Sequence, residues 1–169
     1  MPELIDYSDD PKALFATFAL FPSGVAALSA VVDGAPVVLV ASSFQVGISA
    51  KPPLVLVAVQ HTSTSWPKLA AVPRIGVSVL GEAHDTAARQ MASKAGDRFA
   101  GIATTTTPEG SLFVDGAPVW LECSVHSQFP AGDHDVVLLQ VHKMATDADL
   151  EPLVWHGSGF RALQPRVGA

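Results

Sequence analysis

Hydroxyl side chains gather at two places in the sequence, Ser42-Ser43 and Thr62-Ser63-Thr64-Ser65, each at or close to the end of an apolar run. A hydroxyl both donates and accepts hydrogen bonds, so a dense group of them suits an oxyanion such as a phosphate. The second group runs into Trp66-Pro67-Lys68-Leu69, where a Ser or Thr cap followed by Pro in the first turn predicts a helix start. Such a start has free backbone N–H groups and the positive end of the peptide dipole, which adds to its attraction for an anion. A solvated cap would have the same residue pattern. Ser42-Ser43-Phe44 is the weaker signal, since Ser pairs are ordinary turn formers and Phe44 can serve as a core plug.

Two more residues have chemistry that could join these groups. His134 follows a Gly132-Asp133 turn and stands between Asp133 and Asp135 at the head of an apolar run. A surface turn histidine looks the same, because any His titrates near neutrality. Arg98 can meet an anion or pair with its neighbour Asp97 in a solvated ion pair. His84, His126, His142 and His156 show no metal-ligand spacing, and no metal is expected. The sequence has no dinucleotide or Walker glycine loop and no Gly-x-Ser-x-Gly. Trp66, Trp120 and Trp155 suit core or interface filling, with Trp155 also near enough to Gly157 and Gly159 to offer a ring contact.

The elements that must position these groups are mostly strands. Ser8-Asp9-Asp10-Pro11-Lys12 is a capping sequence, which predicts one short amphipathic helix over Ala13 to Leu20 with Leu14, Phe15 and Phe18 apolar. Strands are expected at Val25 to Val32 and Pro36 to Ala41, joined by the hairpin dipeptide Asp33-Gly34. A crossover from Phe44 to Pro53 leads to a strand at Leu54 to Val59, then a helical turn at Trp66 to Val72 and a strand at Pro73 to Leu80. His84 to Lys94 has helical composition, with Gly96 as a stop. Thr104 to Gly110 reads as a loop, and Ser111 to Val114 with Ala117 to Phe129 as a hairpin of unequal arms. Strands at His134 to Ala145 and Leu153 to His156 follow, and the tail from Gln164 is expected to be loose. Six or seven strands joined by hairpins favour an antiparallel barrel over a doubly wound sheet.

The whole chain bounds the partners. At 169 residues one domain over 1–169, with its core near 13–163, is expected. Hydrophobic residues make up 49% and charged ones 15%, so part of the apolar surface is expected to meet another subunit. With ten Lys and Arg in no run and a net charge of −6, a nucleic-acid surface is not expected, and an anionic ligand must be held locally. No apolar run reaches membrane-spanning length and the N-terminus does not read as a secretory signal, so a cytoplasmic location is the expectation. The single Cys123 excludes an internal disulfide and reads as a buried strand residue.

Taken in order, Phe21-Pro22-Ser23-Gly24-Val25, Ala41-Ser42-Ser43-Phe44, Ile48-Ser49, Pro52-Pro53-Leu54, Ser63-Thr64-Ser65-Trp66, Asp97-Arg98-Phe99-Ala100-Gly101 and Gly132-Asp133-His134 form a specific set. With them the chain resembles the flavin reductase-like proteins of the FMN-binding split-barrel fold, many of which are reductase components of two-component flavin-dependent monooxygenases. The resemblance implies a mainly β split barrel with a few short helices, a homodimer, and FMN or FAD bound near the partner subunit. It places Ser23, Ala41, Ser42, Ser43 and Ser49 at the flavin ring and Ser63, Thr64 and Ser65 at its phosphate. Arg98 becomes a further phosphate or nucleotide contact and His134 the residue associated with NADH or NADPH. The implied reaction is hydride transfer from NAD(P)H to flavin, which then serves a separate oxygenase. A non-catalytic flavin-binding module, or a split-barrel oxidoreductase with another substrate, is the alternative.

Overall fold

A computed structural model of the chain describes residues 1, 2, 4, 6, 7 and 10–164. In chain order the first elements are α1 (Pro11–Phe18), β1 (Ser23–Gly24), β2 (Ala26–Val32), β3 (Ala35–Ala41), β4 (Gln45–Ala50), β5 (Pro53–Gln60) and α2 (Trp66–Ala70). They are followed by β6 (Ile75–Val79), α3 (Asp85–Ala92), β7 (Thr104–Thr106), β8 (Leu112–Val114) and β9 (Val119–Ala131). β10 (His134–Thr146), β11 (Val154–His156) and β12 (Gly159–Arg161) complete the fold. It is mainly β, and its strand pairs are antiparallel.

Seven strands make the main sheet in the order β3-β2-β6-β9-β10-β5-β4. The Asp33-Gly34 turn closes the first hairpin with φ values of 50° and 79°, which twists the chain as the flanking strands require. β2 is covered on both faces. Ala26, Leu28 and Ala30 join one core with Val57, Trp66, Leu69, Ile75, Val77, Val137 and Leu139. Val25 and Ala27 join a second with Val38, Leu80, Ala88, Met91, Val114 and Leu153. The short strand β8 passes so close to β6 that a Cβ on Gly76 would lie 2.2 Å from the Leu112 carbonyl oxygen. Ser29 Oγ donates to that same oxygen at 2.8 Å, and Val114 N–H donates to Ser78 Oγ at 2.9 Å, which satisfies both hydroxyls under the crossing strand.

Eight expected strand segments, the two arms of the expected hairpin among them, form within a residue or two of their sequence bounds. Three expectations give way to something else. The Phe44 to Pro53 crossover holds β4, an exposed edge strand whose pairing with β5 is irregular between Gln45 and Ser49, around Gly47 at φ 77°. Thr104 to Gly110 begins with β7, three β-branched threonines suited to a strand. The hairpin of unequal arms does not form, because β8 pairs with β7 while β9 pairs with β6 and β10. A last strand, β12, turns back on β11 through Gly157 and Ser158, both at positive φ.

At the N-terminus Asp10 accepts from the Lys12 amide at 2.9 Å, with Pro11 opening α1. Ser8 and Asp9 of the expected cap, and residues 165–169 of the expected loose tail, lie outside the described residues. Phe15 and Phe18, apolar residues of the expected amphipathic helix, are 66% and 60% exposed, so α1 does not pack on the core of its own chain. Among the described residues no helix is long and apolar enough to cross a membrane.

Candidate functional site

The main sheet curls until β3 comes near β5, two strands that it does not pair. Ser43, just past β3, donates from Oγ to the Ala58 carbonyl on β5 at 2.7 Å and bridges this gap. Beside the bridge lies a cleft of about 700 Å³, within the range of small-ligand sites. Its walls are Leu39 to Ser43, Ala58 to Gln60, Thr62 to Ser65, the end of α3 with Arg98, and His134. Two hydroxyl groups 20 residues apart in sequence therefore meet at one opening because β3 and β5 both end there.

The second hydroxyl group is organised differently from a simple cap. Ser65 precedes α2 in a helical rather than extended conformation and makes no cap bond with its side chain. Ser63 takes that role and accepts from the Trp66 amide at 3.1 Å. Lys68 and Leu69 N–H both donate to the Ser65 carbonyl, so the expected free amides of the first turn are already used. α2 has only five residues, and side-chain hydroxyls of the preceding loop line the cleft as donors for an anion.

Arg98 supplies the charge. Its Nε donates to the Met91 carbonyl at the end of α3, at 2.5 Å, a favourable place for a cation at a helix C-terminus. Its Nη1 donates to Ser65 Oγ at 3.0 Å. Asp97 instead accepts from the Phe99 amide at 2.9 Å, and among the described residues no carboxylate pairs with Arg98. Partial burial holds the guanidinium below its ordinary pKa, yet an arginine remains a cation at any working pH. A half-buried cation without a counter-ion, beside hydroxyls, has the chemistry that suits an anion.

His134 lines the other side. Its Nδ1 lies 2.7 Å from Asp133 Oδ1, and because a carboxylate only accepts, Nδ1 carries the proton. A neutral His134 then offers Nε2 as an acceptor. The His134 imidazole, by bonding and by charge, holds the exposed Asp133 carboxyl below the usual carboxylate range.

Of the residues singled out in the sequence, Ala41, Ser42, Ser43, Ser63, Thr64, Ser65, Arg98 and His134 all meet in the cleft. Three do not. Ser23 and Trp155 face each other across the β1–β11 pair of a separate three-stranded sheet, where Trp155 packs edge-on against Phe160 at 5.1 Å. Ser49 sits on the edge strand β4. Ser93 and Lys94 line the cleft without any sequence expectation. Lys94 stands four residues before Arg98 across Gly96, a pairing of scarce cations that could have drawn attention to it.

This donor set fits a nucleotide-like ligand. The apolar side chains of Leu39, Val40 and Ala58 offer a wall for a flat ring, while hydroxyls and Arg98 offer an end for a phosphate. Among the described residues no cluster of His, Cys, Asp or Glu could hold a metal.

Known proteins resemble the chain in sequence and fold. A match to the flavin reductase like domain spans residues 18–164. The chain is 37% identical to the actinorhodin polyketide dimerase of Streptomyces coelicolor over 161 residues, 95% of this chain and 90% of that one. It is 32% identical to the reductase subunit HsaB of a flavin-dependent monooxygenase of Rhodococcus jostii, over 92% of this chain and 80% of that one. The structure of the NADH:FAD oxidoreductase SgcE6 of Streptomyces globisporus, in complex with NAD and FAD fragments, superposes with a TM-score of 0.88 at 32% identity. That superposition covers 97% of this chain and 98% of the other.

Proposed function

The chain belongs to the flavin reductase-like family, and on that premise we propose that it is an NAD(P)H:flavin oxidoreductase, one domain folded as a split barrel and working as a cytoplasmic homodimer. The observation that carries the activity is the half-buried Arg98, without a carboxylate partner among the described residues and bonded to Ser65 at the end of a 700 Å³ cleft. FMN or FAD would place its phosphate there, with Ser63, Thr64 and Ser65 as hydroxyl partners. Its ring would lie against Ala41, Ser42 and Ser43. The bound flavin supplies the hydride acceptor chemistry.

The protein's own part is to hold two ligands together. Ser43 is fixed by its bond to Ala58, so the ring-side wall is set before a ligand arrives. His134 Nε2 can accept from a ribose hydroxyl or the carboxamide of NADH or NADPH. No proton need leave the protein for a hydride to pass, which agrees with a cleft lined by hydroxyls and one histidine. Ser23, Ser49 and Trp155 lie outside this cleft and are left out of the contact set.

Support for the split barrel comes from the seven-stranded sheet whose β3 edge approaches β5 without pairing, and from the single core on its inner face. Exposed Phe15, Phe18 and Val46 support a subunit interface. A solution mass of 17.6 kDa, that of one chain, would contradict it. The reductase subunit HsaB supports a separate oxygenase as the consumer of reduced flavin.

Anaerobic mixing with FMN or FAD and NADH or NADPH tests the activity. Bleaching of many flavin equivalents per protein is expected, and persistent yellow colour with both donors, despite flavin binding, sinks the proposal. The 37% identity to a polyketide dimerase favours a second reading, an oxidoreductase acting on another substrate. Reduction of only one flavin equivalent per chain, retained through gel filtration, would favour it.

A further inference from the structure

β10 alternates, so successive residues face opposite ways. His134 lines the cleft. Asp135 turns to the face that carries Val137 and Leu139, both fully buried. Its side chain is 23% exposed and bonded on both oxygens. Oδ1 lies 3.1 Å from His61 Nε2, which must be the protonated nitrogen because the carboxylate only accepts. Oδ2 accepts from Gln128 Nε2 at 2.7 Å, and Gln128 Oε1 accepts from Trp66 Nε1 at 3.0 Å.

His61 and Trp66 bracket the hydroxyl loop Thr62 to Ser65. One carboxylate therefore ties both ends of that loop to β10, directly at its start and through Gln128 at its close. The backbone adds a third tie, from His61 N–H to the Asp133 carbonyl at 3.1 Å. The polarity of the relay is determined. An indole only donates and a carboxylate only accepts, so the Gln128 amide has one orientation that serves both. Trp66 is buried at 5% exposure and its amide also bonds Ser63 Oγ, so a shift of the indole moves the hydroxyl beside it.

We propose that Asp135 is a positioning residue for phosphate binding, holding Ser63 to Ser65 in place from behind without touching the ligand. This rests on the reading of the cleft as a flavin phosphate site. The two failures are separable, because FMN and riboflavin differ by the phosphate alone.

The test is the ratio of FMN to riboflavin dissociation constants, with thermal melting as the check on folding. Ser65→Ala should lower the preference for FMN; an unchanged ratio overturns the phosphate site and the positioning role together. Asp135→Ala should lower that preference by about tenfold while riboflavin affinity stays within about twofold. Asp135→Asn can accept from Gln128 through its oxygen and donate to the other tautomer of His61, so it should restore most of the preference. Where Asp135→Ala does not fold, Gln128→Met, which cuts only the Trp66 arm, decides. If Ser65→Ala changes the ratio and the folded Asp135→Ala or Gln128→Met does not, the positioning role is wrong.

Discussion

Arg98 Nη1 donates to Ser65 Oγ across 3.0 Å, joining residues 33 positions apart in sequence. The bond brings the end of α3 to the hydroxyl loop before α2 and fixes where the Arg98 guanidinium stands in the cleft. Replacing Arg98 by Leu should weaken FMN binding by about tenfold or more and leave riboflavin within about twofold, as loss of a charge-assisted contact predicts. Arg98→Lys keeps the charge without the planar fork and should fall between them. Fluorescence titration with the two flavins measures both.

His134 and Asp133 act as a pair. His134→Ala should raise the KM for NADH several-fold with flavin affinity unchanged, which steady-state kinetics at saturating flavin would read. Asp133→Asn should do the same more weakly, because it lessens the hold on the Nδ1–H tautomer. The depressed Asp133 carboxyl makes its contribution in full above its ordinary value of 3.8 and loses it only as pH falls through the lower folded-state value. Protonation of Asp133 itself should therefore not reduce the difference between Asp133→Asn and the parent at any pH above about 5.

Cys123 is fully buried, and burial, with a smaller contribution from the charge of Glu122, pushes its thiol from an ordinary 9.0 up to about 12. Alkylation of the native protein near pH 8 should be far slower than in denaturant. A raised folded-state pKa gives stability that is complete below pH 9.0 and declines as pH rises toward 12. Near pH 10.5 the loss from this group is about 2 kcal/mol. Cys123→Ala should flatten that part of the alkaline slope in urea melts compared with the parent.

Gly76→Ala should be severely destabilising, by about 3 kcal/mol or more, since the new methyl would meet the backbone of Leu112 rather than a movable side chain. Denaturant melts measure it directly. Gly24→Ala, where nothing lies within 4 Å, is the control and should change stability by less than about 1 kcal/mol.

Local chemistry explains what was legible in the sequence. Asp33-Gly34 announces its turn because only a few residue types accept its backbone angles, and the Val and Leu runs announce their strands by length and type. Ser42-Ser43 and Thr62 to Ser65 were visible as groups, and their order along the chain matched a known family. The contacts that decide their use were not visible. Nothing in Asp97-Arg98 says that the acid serves the Phe99 amide while the base reaches Ser65. Likewise β8 looks like half of a hairpin with β9, because the crossing over Gly76 that takes it elsewhere is a long-range contact with no local signature. Ser23 belongs to a recognisable motif and Trp155 stands close to two glycines, yet their strand pairing puts them in another sheet.

The double coverage of β2 has a temporal consequence. Its backbone is bonded to β3 on one side and β6 on the other, and packed layers lie above and below it. Solvent deuterium can reach those amides only when both layers separate, so their exchange keeps time with the opening of the whole chain, while the exposed edge β4 exchanges on its own faster clock.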